Sequence, residues 1–203
     1  MIYGMWFNSS GGGGGGATSV GDLLVKTGQT TSYRTGDDGD IQAGRKVDFT
    51  TLKADNPFGN ASRFTDELGG STYANDIVID WSTYDGSEVL GYYKGDAATA
   101  RLWDDAIDWG VALSVGTFTS GWRLTNVREL QNIADYGQSY GLNYAPFNLG
   151  TANFYTSTTS AAATTRALYI YHYTSEFRLA TKTSIAYNTI AVRNFTVTGT
   201  TLT

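Results

Sequence analysis

The chain has 203 residues, 19 acidic and 14 basic, for a formal charge of −5, with 41% hydrophobic and 14% aromatic content. That length and composition suit one large domain with its own core, and the negative balance without a Lys/Arg cluster argues against nucleic acid as a partner. The absence of cysteine excludes disulfides, thiolate catalysis and Cys-ligated zinc, and the single histidine, His172, excludes any site that needs two imidazoles.

Residues 1–19 read as a glycine-rich tether. Met1 to Ser10 is apolar in part but lacks a basic n-region, and its apolar part is too short and interrupted for a signal peptide. Glycine at every position from 11 to 16 makes a flexible link. An apolar tip on such a link suggests docking of residues 1–16 into a larger virion or surface assembly; the alternative is a tail without a partner. No apolar run approaches the length of a membrane span.

A domain is expected over residues 20–195, with 196–203 as a polar tail or an extra strand. From Val20 to Phe64 the sequence is turn-rich and reads as short strands joined by tight turns. Asp37, Asp38 and Asp40 offer oxygen ligands for a hard cation such as Ca²⁺, but no glutamate stands at the twelfth position of an EF-hand loop, and acids beside glycine are ordinary turn chemistry. The β-branched run to Trp81, the Asp85-Gly86 turn signal and the run Glu88–Tyr93 predict a hairpin. A helix follows from about Thr99 to Leu113, with Leu102, Ala106, Trp109 and Leu113 in one line. Asp104, Asp105 and Asp108 lie on its solvated face and complement the dipole.

The next stretch, Gly121 to Leu130, organises the middle of the chain. Trp122 and Leu124 alternate with Arg123 as in a short strand, and Asn126 is a good N-cap. Glu129, three residues on, completes a capping box, and Val127, Leu130, Ile133 and Ala134 follow at helical spacing toward a stop at Gly137. Trp122, Arg123, Leu124, Asn126 and Glu129 are therefore read as structural. After an aromatic loop over 136–150, the last third alternates as antiparallel strands. In the run 167–173, Leu168, Ile170 and His172 share one face and Tyr169, Tyr171 and Tyr173 the other. With the aliphatic face inward, the tyrosines form an amphipathic surface stripe suited to binding. The candidate ligand-binding set is Tyr155, Tyr169, Tyr171, Tyr173, Glu176, Arg178 and Tyr187, with His172 a satisfied structural group.

Several of these segments together resemble a known bacterial and phage family, the C-terminal domain of the Legionella collagen-like adhesin. Gly121-Trp122-Arg123-Leu124 with Glu129-Leu130 is similar to that family's Trp-Arg-Leu-Pro-Thr-x-x-Glu-Leu. Phe154-Tyr155-Thr156-Ser157-Thr158 stands where it has Tyr-Trp-Ser-Ser-Thr, Ala167–Tyr171 where it has Ala-Trp-x-Val-x, and Ile190–Arg193 where it has Val-Arg-Cys-Val-Arg. With Lys26–Thr30 and Asp38-Gly39-Asp40 upstream, the likeness spans about residues 24–195. Thr125, Asn126 and Ala191 depart from the family's proline, threonine and cysteine.

The resemblance implies an α+β, C-type-lectin-like fold of the formylglycine-generating-enzyme-like variant, with two helices packed on small twisted antiparallel sheets and long loops. Enzymes of that fold rely on cysteines or a histidine cluster that this chain lacks, so a non-enzymatic module is expected. The calcium-dependent sugar motif of animal lectins is missing too, because the only prolines are Pro57 and Pro146. The expected role is receptor binding on a virion or cell surface, toward a host-surface glycan or protein, as an oligomer. The structural alternative is a virion decoration or assembly subunit whose aromatic surface is buried between protomers.

Overall fold

The computed structural model describes residues 30–35, 38–41, 49–52 and 54–203. In chain order its elements are α1 (Asp38–Ile41), β1 (Phe64–Thr65), β2 (Ile77–Asp80), β3 (Glu88–Tyr93), α2 (Trp103–Ala112), β4 (Arg123–Leu124) and α3 (Val127–Asn132). Then come β5 (Phe154–Ser160), β6 (Ala163–Tyr171), β7 (Glu176–Thr181), β8 (Ala191–Thr198) and β9 (Thr201–Leu202). The result is mostly β, with short helices packed on antiparallel sheets, and is compatible with the α+β class expected above.

The larger sheet grows from the predicted hairpin. β2 and β3 pair with Ile79 opposite Gly91, and the Asp85 carboxylate accepts from the N–H groups of Ser87 and Glu88 at 2.8 Å each, fixing the turn. β8 pairs along the whole of β3, and β1 and β4 complete the order β1-β2-β3-β8-β4. β9 folds back onto the end of β8 through Gly199, at a φ of 62°. The boundary expected at 195 therefore falls inside β8, and the last residues form the extra strand. The smaller sheet is β5-β6-β7.

Both faces of the large sheet are covered, and for that reason β2 is buried at every position. Val78, Tyr92 and Val192 face a cluster with Leu130, Ile133, Tyr144 and Phe147, which also takes Phe154 and Ile170 from the small sheet. Ile77, Ile79, Ala191 and Phe195 face a second cluster with Trp81 and Trp122. Each fully buried aliphatic here contributes about 1.5–3 kcal/mol of transfer free energy.

The capping box forms as read. Asn126 Oδ1 accepts from Arg128 N (2.8 Å) and Glu129 N (3.0 Å), and Glu129 Oε2 accepts from Asn126 N at 2.8 Å. Glu129 also takes the Arg123 guanidinium in a two-pronged pair at 2.7 and 2.5 Å, so one carboxylate joins β4 to α3. Trp122 and Leu124 are buried on either side of Arg123. α3 stops at Asn132, short of the expected Gly137, because the Asn132 carbonyl is taken by Arg63 Nη2 at 2.6 Å instead of a helical N–H. α2 starts at Trp103 rather than Thr99, since Arg101 pairs through its backbone with Tyr187 in both directions. Asp104, Asp105 and Asp108 are solvated as expected. Gly110 lets α2 sit against the backbone of β4: a Cβ there would lie 2.6 Å from Leu124 N.

Before β1 the expected run of short strands is, among the described residues, one helical turn (α1), a Thr51–Ser62 bridge and the Asn56–Gly59 turn. That bridge leads into a buried ionic hub. Arg63 donates to Asp80 through Nε (2.8 Å) and Nη2 (2.7 Å), and to the Phe49 carbonyl through Nη1 (3.3 Å). Asp80 accepts further from Asn132 Nδ2 (2.7 Å) and Ser82 N (3.0 Å). The guanidinium carbon lies 4.5 Å from the centre of the Phe49 ring and 4.4 Å from that of Phe64, and both charged side chains are 0% exposed.

Candidate functional site

Alternation along β5, β6 and β7 sorts the candidate residues. Tyr155 stands opposite Tyr169, Tyr169 opposite Arg178, and Tyr171 opposite Glu176, so all five belong to one face of the small sheet. Phe154, Ile170 and Phe177 belong to the other face, which packs on the main core. The tyrosine face was expected at the surface along its length. Half of it is instead covered, because α2 brings Ala106, Trp103 and Ile107 against Tyr155, Ala167, Tyr169 and Ala180.

Exposure therefore rises along the stripe. Tyr155 is 0% exposed, Tyr169 9%, Tyr171 is half-buried and Tyr173 is 58% exposed. Tyr155 acts as a brace: its hydroxyl donates toward the carbonyls of Ile185 (2.8 Å) and Thr181 (3.2 Å). Tyr187 closes over this end, with ring centres 4.9 Å from Tyr155 and 4.4 Å from Tyr169. Burial and the neighbouring Tyr169 hold the Tyr155 phenol up at about 12. Burial, with hydrogen bonding to Tyr169, raises Tyr187 in the same direction. These rings stay neutral donors at physiological pH.

The exposed end is the turn between β6 and β7, residues 172–175. Arg178 stacks its guanidinium 3.8 Å from the centre of the Tyr171 ring and pairs with Glu176 at 2.9 Å, the two side chains being 44% and 60% exposed. Their mutual hydrogen bond lowers the Glu176 pKa and raises that of Arg178. Tyr173 lies 5.5 Å from Tyr171 and 3.8 Å from His172, ring centre to ring centre. Tyr140 joins from the long loop, 6.0 Å from His172 and 5.9 Å from Tyr173. The link that brings it there is Ser175, held at a φ of 55°, whose Oγ accepts from Gly141 N at 3.1 Å.

His172 was expected on the inner face at a strand end. It sits past the end of β6, half-buried in the turn, with its backbone N–H (3.0 Å) and its Nδ1 (2.9 Å) both directed at Asn153 Oδ1. An amide oxygen only accepts, so Nδ1 carries the proton and Nε2 is left as an acceptor. Burial lowers the His172 pKa, which keeps the ring neutral. The tip thus combines three tyrosine rings, a stacked guanidinium, a carboxylate and a neutral imidazole. Such a surface stacks on apolar faces and exchanges hydrogen bonds with hydroxyls and amides.

Tyr140 and Asn153 were not among the sequence candidates. The aromatic loop over 136–150 was the available signal for Tyr140, and no local pattern marks Asn153. Of the acidic trio, Asp37 lies outside the described residues, Asp38 and Asp40 fall on α1, and Asp40 is exposed. Among the described residues no three carboxylate or imidazole side chains gather into a metal-holding group.

No protein-family model, curated protein or solved structure matches this chain.

Proposed function

We propose that the chain is a non-enzymatic recognition and display module, carried on a phage virion (fibre, tail or capsid decoration) or a cell surface. It meets a host-surface glycan or protein through the tip of the small sheet, with Tyr171, Tyr173, Glu176 and Arg178 in contact and Tyr140 beside them. Residues 1–16 dock the module into its assembly, and the module works as an oligomer. The observation that carries this reading is the solvent-facing stack of Arg178 on Tyr171 next to the exposed Tyr173 ring. Exposed aromatics and Arg are the side chains that supply most binding energy at recognition surfaces. Tyr155, Tyr169 and Tyr187 support that stack from below rather than touching ligand.

The fold is read as C-type-lectin-like. In support, β3 pairs with the late strand β8, α2 and α3 lie between them in sequence, and β5-β6-β7 form a second antiparallel sheet. One observation favours the alternative, a decoration subunit whose aromatic surface is buried between protomers. Ile185, whose carbonyl takes the Tyr155 hydroxyl, is 39% exposed beside that face, as an apolar contact between copies would be.

The test is a glycan-array and whole-cell binding screen with the intact chain and with Tyr173→Ala and Arg178→Ala. Binding that each substitution weakens tenfold or more supports the reading. Clean negatives across hosts and glycans, with hydrogen exchange showing the amides of residues 171–178 protected in an oligomer, favour the decoration subunit.

A further inference from the structure

Away from the tip, an open cleft of about 520 Å³ lies where the segments flanking β1 meet residues 145 and 146. That volume falls within the range of roughly 300–1,000 Å³ typical of small-molecule sites. Its described walls present the hydroxyls of Thr51, Ser62 and Ser71 beside the apolar surfaces of Phe64, Tyr73 and Pro146, and no described lining side chain is charged. Those three hydroxyls take no hydrogen-bond partner among the described residues.

The rim, by contrast, is heavily bonded. The Asp66 carboxylate accepts four backbone N–H groups, from Leu68 (3.0 Å) and Gly70 (2.7 Å) on one oxygen and Thr72 (3.1 Å) and Tyr73 (3.3 Å) on the other. This closes the loop that presents Ser71 and Tyr73. Tyr73 is held at a φ of 52°, and its hydroxyl donates to the Phe64 carbonyl at 3.3 Å. Lys94 Nζ donates to the Pro146 carbonyl at 2.5 Å and lies 5.3 Å from the centre of the Tyr73 ring, tying the two walls together. Opposite, Asn56 Nδ2 donates to Asn60 Oδ1 (2.9 Å) and to the Ser62 carbonyl (3.0 Å).

A cleft with a fixed rim and unspent hydroxyls is preorganised for a ligand that brings its own hydrogen-bonding groups. We infer that it binds a small neutral polyhydroxylated molecule, a sugar unit, with the ring's hydroxyls exchanging bonds with Thr51, Ser62 and Ser71. The sugar's apolar C–H face lies on Tyr73 and Pro146. Charged ligands are disfavoured, because no described lining side chain carries a charge to pair with them. This site is independent of the tip and does not rest on the tip's reading.

The test is an amide-resolved NMR titration of the intact chain with glucose, galactose, mannose, N-acetylglucosamine, lactose and chitobiose. Glucose 6-phosphate and N-acetylneuraminic acid serve as charged comparators. At least one neutral sugar is expected to shift the amides of Ser62, Ser71 and Tyr73 saturably. Ser71→Trp, which fills the cleft from an exposed position, is expected to weaken that binding at least tenfold, while Tyr173→Ala leaves it unchanged. Ser62→Trp repeats the test from the facing wall should Ser71→Trp fail to fold. The inference is overturned if no neutral sugar moves these amides, if a charged comparator binds more tightly than every neutral one, or if a folded cleft-filling variant binds as the parent does. Shifts confined to residues 171–178 overturn it as well, while leaving the tip reading in place.

Discussion

Asp80→Ala is the perturbation with the largest calculable effect. From the described residues the Asp80 carboxylate accepts two hydrogen bonds from the Arg63 guanidinium, at 2.8 and 2.7 Å, and one each from Asn132 and Ser82. Burial works to lower the Arg63 pKa and the Asp80 charge more than offsets it; with Asp80 gone, the intrinsic basicity of a guanidinium still keeps its proton on. Removing the carboxylate therefore strands a full positive charge at a 0% exposed position between two phenyl rings. Breaking one side of such a pair costs about 3–5 kcal/mol, whereas replacing both partners with apolar groups is often close to neutral. Against a domain stability of about 5–15 kcal/mol, the single substitution removes about a fifth or more. Urea titrations followed by tryptophan fluorescence and far-UV circular dichroism give the values. Asp80→Ala is expected to lose at least about 3 kcal/mol, and Arg63→Met/Asp80→Leu to lose less than the single variant despite leaving Asn132 short of a partner. A loss below about 1 kcal/mol for Asp80→Ala, the scale of a solvated surface pair, would refute a dry hub. So would a double variant as damaged as the single one.

Three further substitutions probe other links. Gly110→Ala gains about 1 kcal/mol of helix propensity, yet its methyl would meet the β4 backbone at 2.6 Å, so a net loss of about 1–3 kcal/mol is expected in the same urea assay; a gain would mean that α2 does not press on β4. Asn126→Ala is expected to cost on the order of 1 kcal/mol and to leave ligand binding by the folded protein unchanged, as equilibrium unfolding and the binding screen together report. For Asp66, burial works to raise the pKa and the backbone N–H groups outweigh it, so the folded value lies below the ordinary carboxylate range. Its contribution is then present above the unfolded pKa and lost as the pH falls through the lowered folded value. Asp66→Asn should therefore cost on the order of 1–3 kcal/mol at pH 7, with the gap to the parent shrinking below about pH 4; a gap independent of pH would show that the bonded charge is not the source.

What the sequence revealed was local. The capping box needs only Asn126 and Glu129 three residues apart, and the β2–β3 hairpin needs only Asp85-Gly86 between two β-branched or aromatic runs. In both, the signal lies within a few consecutive residues. The hub was hidden because Arg63, Asp80 and Asn132 lie far apart in the chain and share no period; the one clue was a charged Arg next to the β1 apolar residues. The tyrosine stripe was half right for a related reason. Alternation in the run 167–173 places Tyr169 and Tyr171 on one face, as β6 has them, while Tyr173 falls past the end of that strand; nothing in a strand's own pattern tells whether a helix from elsewhere will cover that face. α2 does so up to Tyr169 and leaves Tyr171 and Tyr173 uncovered. The tip was legible in its β6–β7 members and hidden in Tyr140 and Asn153, which the Ser175–Gly141 contact and the His172–Asn153 bonds bring in across the fold.

Binding of the intact chain to whole host cells, beside Tyr173→Ala/Arg178→Ala and the internal control Asn126→Ala, reports whether the tip is the recognition surface. Both tip side chains are solvent-exposed, so the double variant should unfold at the same urea concentration as the parent. The double variant is expected to lose cell binding by at least about tenfold, or roughly 1.4 kcal/mol, while folded Asn126→Ala binds as the parent does. Undiminished binding by the folded double variant would contradict that role for the tip.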